Sequence, residues 1–217
     1  MGRPRSFDEA DVLQRAMDCF WTRGYEASSL DDLCGAMGIS RSSFYQCFGN
    51  KHDLLLATLD RYGDETMARM QATFAAGRSF RDSLAAFLEA AVADAGAAVD
   101  GGTAAPGRGC YLGNCAAELA AVDEEAAARL DRTFTRIAEA FAQQIRAAQE
   151  SGEVAAERDP VALARLLMAG LQGLRLVAKT RPDRAVLADI ADGLLQAVRQ
   201  HEPQNQTKFR GGGPRWR

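Results

Sequence analysis

Residues 28–55 read "SSLDDLCGAMGISRSSFYQCFGNKHDLL" and contain the signals for two short helices and the start of a longer one. Ser29 and Asp32 form a capping-box pattern, in which hydroxyl and carboxylate each accept a backbone amide at a helix start. Gly38 suits the left-handed residue that ends a helix, and Ser40 then caps "RSSFYQCF". Two short helices joined by a tight turn with glycine, after a longer supporting helix, predict a helix-turn-helix.

The supporting helix comes before this stretch. Ser6 and Glu9 also have capping-box spacing, and Gly24 suits the end of the helix. Between them, one apolar face recurs at helical spacing; its members are Val12, Leu13, Ala16, Met17, Phe20 and Trp21.

The remainder of the chain also reads as helices. A long periodic segment begins near Lys51, and further helices are predicted over about 79–98, in "CYLGNCAAELAAV", in "DEEAAARLDRTFTRIAEAFAQQIRAAQESG", after Asp159-Pro160 and after Arg181-Pro182-Asp183. "DGGTAAPGRG" between two of them is a loop. With no convincing strand, the sequence predicts an all-α fold: an N-terminal three-helix helix-turn-helix domain plus a C-terminal helical bundle. The expected divisions are 1–52, 53–202 and a disordered tail over 203–217.

Composition excludes several classes of protein. The chain has 217 residues, 47% hydrophobic and 25% charged, which is ordinary for a globular protein. We find no signal peptide and no apolar run of about 18 residues, so a cytoplasmic protein without a membrane partner is expected. Five cysteines do not make a disulfide framework, and two distant histidines without Cys-x-x-Cys predict neither a metal site nor a cofactor.

Charge is segregated within residues 1–53, which hold six basic and eight acidic residues. The acidic residues cluster in the first turns of the first two helices. We therefore expect Arg41 and Lys51, at the third helix, to lack acidic neighbours and to be available to phosphate. A short, polar, capped helix suits insertion into the major groove of DNA.

Residues 7 to about 56 resemble the DNA-binding domain of the tetracycline-repressor (TetR) family of bacterial transcriptional regulators. The resemblance rests on "SL-D-L", "GIS", "FY--F" and "NK--LL" at the family's spacing. It implies an all-helical homodimer that binds double-stranded operator DNA. It also implies a divergent C-terminal domain that binds a small-molecule inducer and dimerises through its last two helices.

The resemblance assigns roles within the helix-turn-helix. Tyr45, Lys51 and Ser29 match positions that contact backbone phosphate. The variable base-reading positions are occupied by Arg41, Ser42 and Ser43. Cys47 stands where the family usually has histidine, which removes one hydrogen-bonding contact.

Two adjacent aromatic residues predict which face of the third helix is buried and which is exposed. Phe44 and Tyr45 cannot share one helical face, so we expect Phe44 or Phe48 to be buried and Tyr45 to be exposed. The alternative is that both aromatics belong to the core. Leu33, Cys34 and Met37 are read as core residues, and His52 as a surface histidine.

The segment "GRGCYLGNCAAEL", residues 107–119, resembles that of a TetR subgroup in which a Gly-Cys pair begins the helix beside the ligand cavity. Some members of that subgroup respond to electrophiles or oxidants through cysteine. A cysteine at a helix N-terminus meets the positive end of the helix dipole, which favours the thiolate, and Arg108 would act in the same direction. Cys110 and Cys115 are therefore candidate sensors, too far apart on a helix to form a disulfide. The alternative is that both are packing residues.

If the ligand is not an electrophile, we expect an apolar pocket between the connecting helix and the C-terminal helices. The candidates that line it are Phe87, Tyr111, Phe134 and Met168, with Phe74, Phe141, Met67 and Met70. Each could equally be plain core, and the inducer is not identified by the sequence.

These features predict a ligand-responsive repressor released from a palindromic operator by a small molecule or electrophile. The last two helices are the expected dimer interface, with Gly170 and Gly173 permitting close approach. One alternative is a helix-turn-helix module that binds proteins rather than DNA. Another is an enzyme with a cysteine nucleophile, which is disfavoured because no histidine or oxyanion motif accompanies the cysteines.

Overall fold

The computed structural model describes residues 8–100, 107–180 and 183–198, and within these ranges it contains nine α-helices and no strand. This confirms the all-α prediction. The helices are α1 Glu9–Arg23, α2 Leu30–Met37, α3 Arg41–Phe48, α4 Lys51–Phe74, α5 Phe80–Asp100, α6 Tyr111–Leu119, α7 Glu124–Glu150, α8 Pro160–Thr180 and α9 Arg184–Ala197. The predicted tail over 203–217 lies outside the described residues.

Helix α1 begins differently from the prediction. Asp8 is the N-cap, and its carboxylate accepts the Ala10 amide at 2.9 Å. The expected start with Ser6 as the cap was wrong, because the helix starts two residues later than that cap requires; Ser6 itself lies outside the described residues. The predicted end was correct, since Gly24 adopts a φ of 88° and its amide donates to the Phe20 carbonyl at 2.8 Å.

The two short helices begin and end at the predicted residues. The Ser29 hydroxyl accepts the Asp32 amide at 3.1 Å, and the Asp32 carboxylate accepts the Ser29 amide at 3.0 Å. Gly38 ends α2 in the left-handed conformation, and Ser40 caps α3. Both helices are short, so these side-chain caps supply partners that the helices themselves cannot provide for their first amides.

The core of the helix-turn-helix holds α3 by one face. Phe44 is 0% exposed, and it shares a continuous core with Leu33, Cys34 and Met37 of α2. Tyr45 is 56% exposed, which confirms the predicted division between the two neighbouring aromatics. The buried phenylalanine therefore fixes the rotation of α3 about its axis and turns the tyrosine outward.

Helix α4 belongs to both halves of the molecule. It packs against α1 and α3 on the N-terminal side, and against α5, α6 and α7 on the C-terminal side. Helix α7 packs along α8, and α9 lies against α5 and α8. One continuous hydrophobic core runs through the described part of the chain, so displacements on one side of α4 are transmitted to the other.

Helix α8 is long and apolar enough to cross a membrane, judged by length and composition alone. Our search for apolar runs in the sequence did not identify it. The helix packs on α5, α7 and α9, and a core helix of a water-soluble bundle has the same composition. Only 33% of the apolar window is buried within one chain, so part of its apolar surface faces outward.

Gly63 lies at a close contact of α4 with α7. A Cβ at this position would lie 2.8 Å from the Thr133 Cγ2 atom, and both residues are buried. Threonine is branched at Cβ and has little freedom to move away. The contact therefore requires a residue without a side chain.

We expect Gly63→Ala to lower the free energy of unfolding, because overpacking typically costs about 1–3 kcal/mol. Gly35→Ala is the matched control: that glycine is also helical, and nothing lies within 4 Å of its added Cβ. Alanine favours a helix over glycine by about 1 kcal/mol, so the control should gain stability. Denaturant unfolding followed by circular dichroism measures both, and equal gains in the two variants would contradict the close contact.

Candidate DNA interface and sensor site

The outward face of α3 is built by helical spacing. Ser42, Tyr45 and Gln46 are all exposed and lie at positions i, i+3 and i+4, opposite the buried Phe44. No acidic residue occurs in the helix. Gln46 was not among our predicted contacts, although its spacing from Ser42 in the sequence identifies it. An amide, a hydroxyl and a phenol on one exposed face can all hydrogen-bond to base edges or phosphates.

Arg41 does not have the surroundings that the sequence predicted. Its Nε and Nη2 atoms donate to the Asp31 carboxylate at 2.8 and 2.6 Å, forming a bidentate ion pair. The hydrogen bond from Arg41 holds the pKa of Asp31 below its usual range. The expectation of an arginine without acidic neighbours was wrong, because packing of α2 on α3 brings the first turns of both helices together.

The three serines at the start of α3 form one hydroxyl cluster. The Ser40 oxygen lies 2.9 Å from that of Ser42 and 3.1 Å from that of Ser43, and it accepts the Ser43 amide at 3.2 Å. Ser42 is exposed, whereas Ser43 is half-buried. Of the two predicted base-reading serines, Ser42 is therefore the more accessible.

The two predicted phosphate contacts outside α3 lie at helix starts. Ser29 is exposed at the N-cap of α2, where its hydroxyl is bound to Asp32 at 2.5 Å. Lys51 is the first residue of α4, and its Nζ lies 4.3 Å from the centroid of the Tyr25 ring. Helix starts present unpaired amides and the positive end of the helix dipole, which favour an anion.

A second group of contacts joins α1 to the segment before α6. The Trp21 indole donates to the Arg108 carbonyl at 3.0 Å, and the Arg108 guanidinium lies 4.3 Å from the centroid of the Trp21 ring. Arg108 also forms an ion pair with Asp18 at 2.7 Å. It is thus committed to α1, and the expectation that it acts on the Cys110 sulfur is not supported.

Arg175 of α8 is the cation that reaches Cys110. Its Nη1 atom lies 3.6 Å from the Cys110 sulfur and 3.4 Å from the Tyr62 hydroxyl oxygen. Cys110 is 5% exposed and stands at the N-cap of α6, as predicted, without capping the helix through its side chain. Our sequence analysis missed Arg175. The available signal was a single arginine within the apolar run "LLMAGLQGLRLVA".

The two candidate sensor cysteines have different surroundings. Burial raises the pKa of Cys115 to about 12, so this residue is a thiol at neutral pH. Beside it, Tyr111 is fully buried, and its hydroxyl lies 2.7 Å from that of Thr58. All five cysteines are free. Cys115 has the environment of a packing residue, whereas Cys110 has a cation beside its sulfur.

A cleft of about 610 Å³ opens between α1, α6 and α8. Its wall includes both candidate cysteines, the apolar side chains of Phe20, Trp21 and Leu176, and polar groups such as Asn114, Glu118, Gln172 and Lys179. This cleft lies where the N-terminal and C-terminal halves meet. It differs from the apolar pocket that we expected between the connecting helix and the C-terminal helices.

The predicted ligand residues do not converge on this cleft. Phe87 belongs to a separate aromatic cluster, with its ring centroid 5.6 Å from that of Phe141 and 6.5 Å from that of Phe74. Phe134 and Met168 are half-buried against the core. Within the described ranges, no three histidine, cysteine or acidic side chains converge as metal ligands would.

Two further contacts connect the helix-turn-helix to the C-terminal bundle. The Glu118 carboxylate, near the end of α6, accepts the backbone amides of Tyr25 at 3.0 Å and Glu26 at 2.8 Å. The His52 Nε2 atom lies 2.8 Å from an oxygen of Asp123, the N-cap of α7. His52 is therefore a bridging residue rather than the plain surface histidine that we expected.

This combination of an exposed recognition helix and a helical bundle with a cleft defines a transcription regulator of the helix-turn-helix class. Residues 12–58 match the family model for bacterial regulatory proteins of the tetR family, and residues 84–194 match the model for the tetracyclin repressor-like C-terminal domain. The chain belongs to the TetR family of transcriptional regulators.

Relatives are similar over nearly the whole chain. The HTH-type transcriptional regulator YezE of Bacillus subtilis is 33% identical over 91% of this chain and 100% of its own length. The HTH-type transcriptional repressor ComR of Escherichia coli is 33% identical over 90% of each protein. A solved structure of the TetR family regulator CifR, a cysteine mutant complexed with a 26-base-pair operator DNA, is 32% identical with a TM-score of 0.76. That alignment covers 90% of this chain and 99% of the CifR chain.

Replacing Glu118 by alanine should speed hydrogen exchange at the Tyr25 and Glu26 amides, because both lose their acceptor. Hydrogen bonds to a charged group are worth about 1.5–3 kcal/mol, less when exposed, so we expect roughly a tenfold acceleration. Residue-resolved hydrogen exchange by NMR measures it. The Ala10 amide, bound to the Asp8 carboxylate, is an internal control that should not change. Unchanged exchange at Tyr25 and Glu26 would mean that the Glu118 carboxylate does not accept these two amides in solution.

Proposed function

We propose that this protein is a cytoplasmic, homodimeric repressor that binds a palindromic operator and is released by a ligand or electrophile at the cleft. The observation that carries DNA binding is the exposed face of α3, with Tyr45 turned outward by the buried Phe44. Family membership and the operator complex of CifR support the same interpretation. Residues 1–52 would form the DNA-binding domain and 53–202 the ligand-binding and dimerisation domain, with 203–217 as a tail.

The proposed DNA contacts divide by chemistry. Tyr45, Lys51 and Ser29 contact phosphates, whereas Ser42, Ser43 and Gln46 face base edges, with the amide of Gln46 able to pair with adenine. Arg41 contributes after it exchanges Asp31 for DNA. Since both members of that pair are exposed, the exchange costs little.

Tyr45→Phe should weaken DNA binding for all sequences while leaving the fold intact, since only the hydroxyl is lost from an exposed side chain. Lys51→Ala should reduce the salt slope of binding by about one. Fluorescence anisotropy on the DNA upstream of the protein's own gene, at several salt concentrations, measures both. Affinity unchanged in Tyr45→Phe, or an unaltered slope in Lys51→Ala, would remove that residue from the interface.

Asp31→Asn provides an opposite test in the same assay. It removes a negative charge near the DNA and frees Arg41, so we expect binding several-fold tighter at low salt, with the gain shrinking as salt increases. Asp11→Asn is the control, because that carboxylate also pairs with an arginine, Arg15, but on α1. Weaker binding in Asp31→Asn would mean that the ion pair positions Arg41 for DNA.

The proposed dimer uses α8 and α9. Leu166 of α8 is 47% exposed, and a Cβ at Gly173, two turns further along the same face, would meet open space. Gly170 has another role, because its missing side chain makes room for Leu194 of α9 within the same chain. An isologous pairing of this face would place two recognition helices for adjacent major grooves.

The proposed sensor is Cys110. Its sulfur lies in the wall of the cleft, 3.6 Å from the Arg175 guanidinium, whereas no such contact is described for Cys115. An adduct on this buried atom needs space at the start of α6, and the other end of α6 holds the helix-turn-helix through Glu118. We infer no catalytic role, because His52, the one histidine in the described ranges, is bound to Asp123.

Iodoacetamide should abolish DNA binding of the wild-type protein and leave Cys110→Ser able to bind. Cys115→Ser is the matched control and should remain sensitive, because burial raises the pKa of Cys115 to about 12 and keeps it a protonated, poorly nucleophilic thiol at neutral pH. Anisotropy and peptide mass spectrometry follow release and the site of labelling. Release of Cys110→Ser, or protection by Cys115→Ser, would exclude Cys110 as the sensor.

A further inference from the structure

Arg175 carries a charge that no acidic side chain in the described ranges neutralises by direct contact. The residue is largely buried where α8 meets α4 and the start of α6, and within the described part of the chain its hydrogen bonds go to the Tyr62 hydroxyl and the Cys110 sulfur. The contact with the Tyr62 oxygen is long, at 3.4 Å, whereas 3.6 Å is an ordinary distance to a sulfur atom, and both partners are ordinarily neutral. A buried cation without a counter-ion is costly, which indicates that an anion belongs beside it.

The charged groups around Arg175 do not supply that anion. Asp94 of α5 acts on Arg175 electrostatically, but it is exposed and forms no ion pair with it. Glu118 is engaged with two backbone amides, whereas Lys179 adds a second cation in the cleft, with its Nζ 3.1 Å from the Asn114 oxygen. Arg69 adds positive potential at Tyr62. The surroundings of Cys110 are therefore electropositive on balance.

Tyr62 adds a neutral donor to this group. Burial raises its pKa to about 12, so the hydroxyl keeps its proton at physiological pH. Its hydroxyl accepts from Arg175 at 3.4 Å and is also hydrogen-bonded to Cys110, so an incoming carboxylate would replace the sulfur as the acceptor of its O–H. A guanidinium and a phenol converging on one point form the donor set that binds a carboxylate.

We propose that the Cys110 site selects small electrophiles that carry a carboxylate, with Arg175 and Tyr62 binding the carboxylate and the Cys110 sulfur attacking the adjacent electrophilic carbon. This names the ligand class of the sensor and rests on the proposed function. The cation orients the anion for attack by the sulfur. Neutral electrophiles of the same shape lack this contact.

The reaction with a haloacetate illustrates the step. The Cys110 thiol releases its proton to water, and the sulfur lone pair forms a bond to the methylene carbon as the carbon–halogen bond breaks. The halide leaves with the bonding pair, and the product is an S-carboxymethyl cysteine. With a conjugated acid the sulfur instead adds to the β-carbon, and the α-carbon takes a proton from water.

Iodoacetate and iodoacetamide test the proposal, because they differ in charge and hardly in size. The quantity measured is the ratio of their alkylation rates at Cys110, located by peptide mass spectrometry, with Cys19 as the reference in the same molecules. The Cys19 sulfur is hydrogen-bonded to the Ser28 hydroxyl, and no contact with a cation is described for it among residues 8–100, 107–180 and 183–198. We expect the alkylation rate with iodoacetate, divided by the rate with iodoacetamide, to be at least tenfold higher at Cys110 than at Cys19.

Variants of Arg175 and Tyr62 distinguish an effect of charge on the labelling ratio from an effect of packing. Arg175→Gln should reduce the Cys110 ratio to that of Cys19, Arg175→Lys should retain most of the preference, and Tyr62→Phe should lower it by a smaller factor. Circular dichroism and thermal unfolding check the fold; if Arg175→Gln does not fold, the Arg175→Lys and Tyr62→Phe ratios decide. Equal ratios at Cys110 and Cys19, a ratio unaffected by these changes, or no labelling of Cys110 would overturn the proposal.

The same labelled samples distinguish this proposal from the function on which it rests. Selective carboxymethylation of Cys110 with loss of DNA binding supports both. Selective carboxymethylation without any effect on DNA binding supports the ligand class and contradicts the sensor. Release of DNA by both reagents at matched labelling, without preference for the anion, supports the sensor and contradicts the ligand class.

Discussion

The contact of three aromatic rings, from Trp21 on α1, Tyr62 on α4 and Tyr111 on α6, sets the geometry of the rest of the structure. Their centroids lie 5.3–5.8 Å apart, and two of the three rings are buried. Aromatic pairs at this distance favour particular orientations, so the cluster fixes angles as well as distances. It holds the supporting helix of the DNA-binding unit against the helix that begins at Cys110.

In this arrangement, both ends of α6 contact other helices or turns. Cys110 stands at its start beside Arg175, and Glu118 near its end holds the turn between α1 and α2. Eight residues of helix separate them by about 12 Å, a length over which a helix behaves as a rigid rod. A ligand changes DNA affinity only if it binds two orientations of this rod unequally.

Much of the fold could be predicted because its signals are local. The caps at Ser29, Ser40 and Asp159-Pro160, and the outward rotation of Tyr45, depend on residues within one or two helical turns. The Asp31–Arg41 pair, Arg175 beside Cys110 and the His52–Asp123 bond join residues distant in sequence, so only packing of the helices brings them together. The missed start of α1 has another cause: two polar residues, Ser6 and Asp8, compete as caps in one short segment.

Two arginines show how burial decides the role of a charge in this protein. Arg41 is exposed and paired with Asp31, and water screens the pair, so DNA phosphate can replace the carboxylate at little cost. Arg175 is largely buried with weak neutral partners, so its charge acts across a medium that screens poorly. The proposed DNA contact of Arg41 is therefore compatible with its acidic neighbour. Arg175 has no acidic side chain in direct contact among the described residues. Its effect on a bound group therefore depends strongly on whether that group is an anion.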